Sequence, residues 1–219
     1  MTVVSPTMTE AQAAAWHALF AVHRRLPTDW CLVGGQMVHS LCWENGITAS
    51  RPTEDADAAL DVRAHPQMLW DFTSALRDLG YAPDGESWSG HHHRWVNGRA
   101  QIDVLVPRFV GERADSRRGV SGGTTIASAG AQGALDRAEP VRLDVAGVVG
   151  TVLRPTLQGA LFAKAAALST TTRTRIVTSS TSPCSARPWA GRSVWVRERA
   201  ASRGAGCWLP WPSSIVARP

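Results

Sequence analysis

The sequence predicts a mixed α+β domain over residues 1–168, built on a mixed, mainly antiparallel sheet flanked by helices. Three observations carry this. Cys31–Val33 is a short apolar run followed by Gly34-Gly35 and then by apolar residues at helical spacing, which reads as strand, turn, helix. Asn97-Gly98 and Ala146-Gly147 each join two strand-like runs as hairpin turns. Thr9–Leu26 and Pro66–Leu79 have the length and apolar period of amphipathic helices.

In chain order, Thr9 is placed to cap the first helix, whose Trp16, Leu19, Phe20 and His23 recur on one side. His17 and His23 read as surface or partly buried residues, not ligands. After the strand Cys31–Val33, a helix is expected over Gln36–Asn45, with Met37, Val38, Leu41 and Cys42 at helical spacing and Asn45-Gly46 as its stop. A loop containing Pro52 leads to a strand over Ala56–Val62. Met68, Leu69, Phe72, Leu76 and Leu79 form the apolar stripe of the next helix, which Gly80 ends. Tyr81–Gly90 reads as a polar turn region. His91-His92-His93 alternates faces if extended, so it reads as a strand entry and not as a metal cluster. The hairpin at Asn97-Gly98 then joins His92–Val96 to Ala100–Pro107 and puts Asp103 on its second arm. Phe109–Ala138 is rich in Gly, Ser, Arg and Ala. Its Gly119–Thr125 portion lacks the lysine-hydroxyl ending of a phosphate loop and is expected near the site as surface. Val141–Val145 and Val148–Leu153 form the second hairpin. Pro155 opens a last helix to Leu168, with Leu157, Leu161, Phe162 and Ala165 expected on its inner side.

The chemistry lies in Asp55 and Asp57. Residues two apart on a strand share a face. Two adjacent carboxylates repel, and a hard divalent cation relieves that repulsion. Magnesium binds carboxylate oxygens together with substrate phosphates. Gly34 and Gly35 leave room for a triphosphate to approach backbone N–H groups at the positive end of a helix.

Gly-Gly, a helix, Asp-x-Asp on a strand and a third strand aspartate in Gln101-Ile-Asp-Val-Leu-Val-Pro107 together resemble the nucleotidyltransferases of the DNA polymerase β superfamily. Arg51-Pro-Thr-Glu-Asp-Ala-Asp57 looks most like the branch holding AbiEii-like abortive-infection toxins and related small bacterial nucleotidyltransferases. The resemblance spans roughly Trp30 to Leu168. It implies a metal-dependent transfer of a nucleoside monophosphate from an NTP to an acceptor hydroxyl, with release of pyrophosphate. Asp55, Asp57 and Asp103 would be both catalytic residues and ligands of Mg2+ or Mn2+, two ions in all. Gly34, Gly35, Arg51, Thr53 and Lys164 would face the nucleotide, with Thr53 orienting Asp55 and Glu54 facing away. Lys164 is the only lysine in the chain; it reads either as a counter-charge to triphosphate or as a solvated helix residue. Ala56, Ala58 and Ala59 stand where larger β-branched residues are expected, which predicts a loosely packed strand. The acceptor is a tRNA, a protein hydroxyl or a small molecule such as an antibiotic, and a cognate antitoxin is a possible partner. The alternative is a nucleotide-binding or toxin–antitoxin interaction module of the same fold without turnover.

Composition bounds these readings. The chain has 219 residues and 44% hydrophobic content, enough for one packed core. It has no apolar run of membrane-spanning length and no export signal pattern, so no membrane partner and a cytoplasmic location are expected. Its four cysteines show no metal-ligand spacing and read as reduced thiols. Residues 1–168 hold 15 Lys+Arg against 17 Asp+Glu, a net of −2, whereas residues 169–219 hold 8 Arg against 1 Glu, a net of +7. The body therefore gives no electrostatic case for nucleic-acid binding.

The tail, 169–219, differs in kind. Ten of the fifteen residues Ser169–Pro183 are Ser or Thr, and four of the ten tryptophans follow Pro188. Disordered segments are poor in tryptophan, so the composition points to either a low-complexity basic tail or a shifted reading frame in a GC-rich gene. The shifted frame, with G or C at each third base, permits Asp-Asp-His-Ala-Asp-Pro-His-Arg-His-Leu-Val-Asp-Leu-Ala-Leu-Leu, which has amphipathic leucine spacing.

Overall fold

Helix α1, Glu10–Arg25, begins where Thr9 closes a capping box. The Gln12 backbone N–H donates to Thr9 Oγ1, and the Thr9 N–H donates to Gln12 Oε1 at 2.9 Å. Its inner side buries Trp16, Leu19, Phe20 and Val22 completely or nearly so. In this computed structural model residues 2–49, 53–85, 90–108, 111–112 and 116–178 are described, all within one compact unit, Met1–Thr181. Arg51 lies outside them.

The remaining elements are β1 (Val3–Val4), β2 (Trp30–Val33), α2 (Gly34–Glu44), β3 (Ala56–Leu60), α3 (Met68–Asp78), β4 (Ala82–Pro83), β5 (Arg94–Asn97), β6 (Ala100–Pro107), β7 (Ile126–Ser128), α4 (Ala131–Leu135), β8 (Ala138–Val145), β9 (Val148–Pro155) and α5 (Leu157–Thr178). The larger sheet runs β2-β3-β6-β5-β4, with β7 also paired to β6. Its β3–β6 and β6–β7 pairs are parallel and the others antiparallel. The smaller sheet runs β1-β8-β9. The fold is thus α+β with mixed sheets flanked by helices, as expected.

The centre of the large sheet is fixed by burial on both faces. Ala56, Ala58 and Leu60 join Trp16, Trp30, Met37, Phe72 and Ile102 in the main core. Ala59 faces the other way, with Cys31, Val33, Ala131 and Ala134. The alanines that predicted loose packing are almost fully inaccessible to solvent. Bulk comes from the aromatic and aliphatic neighbours, and hydrogen-bonded strands on both sides hold β3 in place.

Two further expectations change. Gly119–Thr125, expected as a surface loop near the site, is a loop that leads into β7, and its Gly119–Gly123 turns against Thr73 of α3 and the ring of His92. Among the described residues it takes no part in the cavity considered below. In α5, Leu157 and Leu161 are about 60% exposed, and Phe162 and Ala165 are exposed too. The inner positions are Ala160 and Ala163, because α5 approaches closely enough that only small side chains fit. Phe162 lies across Gly133 and under the Arg137 guanidinium, 5.6 Å from the ring centre.

Candidate active site

Strand register builds the site. Asp57 on β3 is the partner of Asp103 on β6, and Asp103 is the partner of Arg94 on β5. Directly paired residues on neighbouring strands project from the same face. The sheet therefore carries a row of three charged side chains across three adjacent strands. Asp55, two residues before Asp57, joins the same face. Carboxylate oxygens of Asp55, Asp57 and Asp103 lie within 4.8 Å of one another.

Arg94 was not singled out in the sequence. Its Nε donates to Asp103 Oδ1 and its Nη2 to Asp103 Oδ2, both at 2.9 Å. Nη2 also lies 3.8 Å from Asp55 Oδ2. This two-pronged pairing holds Asp103, whose side chain is 11% exposed. The pairing strengthens the cationic state of the guanidinium. The only sequence cue was the Asn97-Gly98 turn. A two-residue turn fixes the register, and that register places Arg94 opposite Asp103.

Asp57 is the strained member. Burial first, then the negative charges of Asp55 and Asp103, push its carboxyl up to about 6. Lys164 and the backbone N–H of Gly35, which donates to Asp57, pull the other way. The two glycines explain how a carboxylate fits at the start of a helix. Gly34 has φ +68°, and a Cβ there would collide with the Asp57 carboxylate. A Cβ on Gly35 would collide with the Thr53 side chain. The space expected for a triphosphate is thus filled, at these two positions, by the protein's own Asp57 and Thr53.

Thr53 is fixed as a brace. Its Oγ1 donates to Asp55 Oδ1 at 2.9 Å. Its carbonyl accepts from Gln12 Nε2 at 2.6 Å and from Gln36 Nε2 at 3.2 Å. Gln36, itself buried, accepts from Trp16 Nε1 at 3.2 Å. The buried face of α1 thereby anchors the loop that presents Asp55. Sequence reasoning missed Gln12 and Gln36, because their partner is a backbone carbonyl.

A cavity of about 730 Å³ opens beside the carboxylates. Gly34, Gly35, Thr53, Asp55, Asp57 and Lys164 line it together with Val38, His39, Cys42 and Ile47. Glu54 borders this cavity and also a second one beside Thr9, Asn97 and Arg99. One wall is apolar, and the polar end is net acidic, with Glu54, Asp55 and Asp57 against Lys164.

No family model and no curated protein matches the chain. Among solved structures, the solution structure of the antibiotic-resistance factor ANT(2'')-Ia matches at 14% identity, over 57% of this chain and 69% of that one, with a TM-score of 0.32. A likeness of that size carries no argument. No helix among the described residues is long and apolar enough to cross a membrane.

Proposed function

We propose that this chain is a metal-dependent nucleotidyltransferase, moving a nucleoside monophosphate from an NTP to an acceptor hydroxyl. The observation that carries the reading is the clustering of Asp55, Asp57 and Asp103 within 4.8 Å, on one sheet face beside a glycine-opened helix.

The donor set fits a hard divalent cation such as Mg2+ or Mn2+. It offers only carboxylate oxygens, and one member, Asp57, has no ion-pair partner within 4 Å among the described residues. When bound, the cation supplies positive charge to the triphosphate and to the charge that develops at the α-phosphorus. The chain's own residues do the rest. Thr53 holds Asp55 in register. Arg94 holds Asp103. Lys164, on the cavity wall, offers a counter-charge to phosphate, and Arg51 would add a second. Val38, Cys42 and Ile47 give the base an apolar wall. The acceptor oxygen bonds to the α-phosphorus, the bond to the β-phosphate oxygen breaks, and pyrophosphate departs. The hydroxyl proton passes to a carboxylate of the triad.

The acceptor in this reading is a tRNA, a protein hydroxyl or a small molecule, and a cognate antitoxin remains a candidate partner. The basic stretch 169–219 is read as a shifted frame or a low-complexity tail; its residues 169–178 continue α5, and the rest lies outside the described residues. The second reading, nucleotide binding without turnover, is favoured by one observation: both oxygens of Asp103 are already engaged by Arg94.

Thermal melts with each magnesium nucleoside triphosphate, on wild type and Asp57→Asn, test the site. Binding at a hundred times Kd raises stability by about 2.7 kcal/mol. The expected result is a shift in wild type alone, followed by label transfer from α-labelled NTP to an acceptor. Binding without any transfer selects the second reading. A cooperative melt that no nucleotide moves refutes both.

A further inference from the structure

We infer that Arg94 stands in for one of the cations at the carboxylate triad, so that the site takes a single divalent ion, held by Asp55 and Asp57. The inference rests on the metal-dependent reading above and fixes how many ions that site holds.

The turn at Asn97-Gly98 sets β5 against β6 so that Arg94 and Asp103 are direct cross-strand partners. Arg94 is thus delivered by the sheet and not by a mobile loop. Its fork takes one lone pair from each Asp103 oxygen, at 2.9 Å on both sides. The same Nη2 reaches toward Asp55 Oδ2, 3.8 Å away. A guanidinium placed between two carboxylates does what a bridging cation does. It offsets one unit of their combined charge and fixes their separation.

The three carboxylates, Arg94 and Lys164 sum to a charge of −1, nearer the complement of one divalent ion than of two. Asp57 is the member left without an ion pair among the described residues, with Asp55 beside it. An ion bound there meets two carboxylates, one of them braced by Thr53. A second ion on Asp103 would meet oxygens already hydrogen-bonded to a cation and would be repelled by that cation. Because arginine keeps its charge at all working pH values, the substitution is permanent.

The test counts ions. Equilibrium dialysis against Mn2+ with inorganic tripolyphosphate, read by electron paramagnetic resonance, gives bound Mn2+ per chain. The expected result is one ion in wild type and none in Asp57→Asn. In Arg94→Met a second ion binds at least tenfold more tightly than in wild type, and Arg94→Met/Asp103→Asn loses it. Two ions in wild type would overturn the inference while leaving the metal-dependent reading intact. One ion in both wild type and a cooperatively melting Arg94→Met would also overturn it. No bound Mn2+ in wild type would remove the metal-dependent reading, and the inference with it. If Arg94→Met does not melt cooperatively, Arg94→Gln, whose amide retains one hydrogen bond to Asp103, takes its place with the same outcomes.

Discussion

Replacing Asp57 by Asn has opposite consequences with and without metal. The Asp57 carboxyl lies at about 6, against an ordinary value of 3.8, chiefly through burial and then through Asp55 and Asp103. Each unit corresponds to about 1.36 kcal/mol, so ionising Asp57 in the folded chain costs about 3 kcal/mol, as an upper figure. A group whose folded value is raised weakens the fold where it must ionise. Below about pH 4 the residue is protonated in both the folded and the unfolded chain, and nothing is lost. The loss grows between about pH 4 and 6 and is complete above about 6.

Asn removes the charge and keeps an oxygen to accept the Gly35 N–H. In metal-free buffer with EDTA at pH 7.5, Asp57→Asn is therefore expected to be the more stable protein, by up to about 3 kcal/mol. At two to four degrees per kcal/mol, that is a rise in Tm of roughly 6–12 °C. The gap should close as pH falls toward 4.5. Adding Mg2+ and nucleotide should raise wild type alone and narrow the gap again. Urea melts across that pH range, with and without EDTA, provide the assay. A cooperatively melting Asp57→Asn that is less stable than wild type at pH 7.5 in EDTA would refute the electrostatic account of the site.

Other substitutions separate the parts of the site. Gly34→Ala forces a left-handed alanine, at a cost of about 1–2 kcal/mol, and also displaces the Asp57 carboxylate; chemical denaturation should show the loss, and the Mg2+ response should vanish. Thr53→Val keeps the shape but removes the hydrogen bond to Asp55. It should cost about 1 kcal/mol in stability, yet weaken Mn2+ binding roughly 10–100-fold by titration calorimetry. Leu161→Gln, on the exposed side of α5, should leave the urea midpoint within about 0.5 kcal/mol of wild type, in contrast to the cost expected of an inward-facing leucine.

Much of this was legible in the sequence where local rules decide. The Thr9 cap, the turns at Asn97-Gly98 and Ala146-Gly147, and the strand-glycine-helix order around Gly34 each follow from a few adjacent residues. Asp55, Asp57 and Asp103 could be named for the same reason: two share a strand and the third sits in a clear strand context. What escaped depends on pairings between distant segments. Arg94 matters only through its register with Asp103. Gln12 and Gln36 matter only because the Thr53 carbonyl lies between them. The inner side of α5 was misjudged because helical spacing marks an apolar stripe but does not say how closely the neighbour approaches. Here α4 and the Gly130 before it come close enough to select Ala163 over leucine. The two-residue strands β1 and β4 are too short to leave any periodic mark.

Strand β1 has a consequence of its own. Val3 and Val4 run parallel to Leu143 and Asp144 of β8, and Val3 is almost completely buried. During synthesis on the ribosome, β1 has no partner until β8, far along the chain, has been made. Residues before Thr9 must wait while the sheet bearing the aspartates can already assemble. Closure of the smaller sheet is thus a late, long-range event, slow for the reason that all distant pairings are slow. An affinity tag fused directly ahead of Val3 would burden that step and not the carboxylate site. A tag that lowers yield without changing metal binding would carry the signature of this order of events.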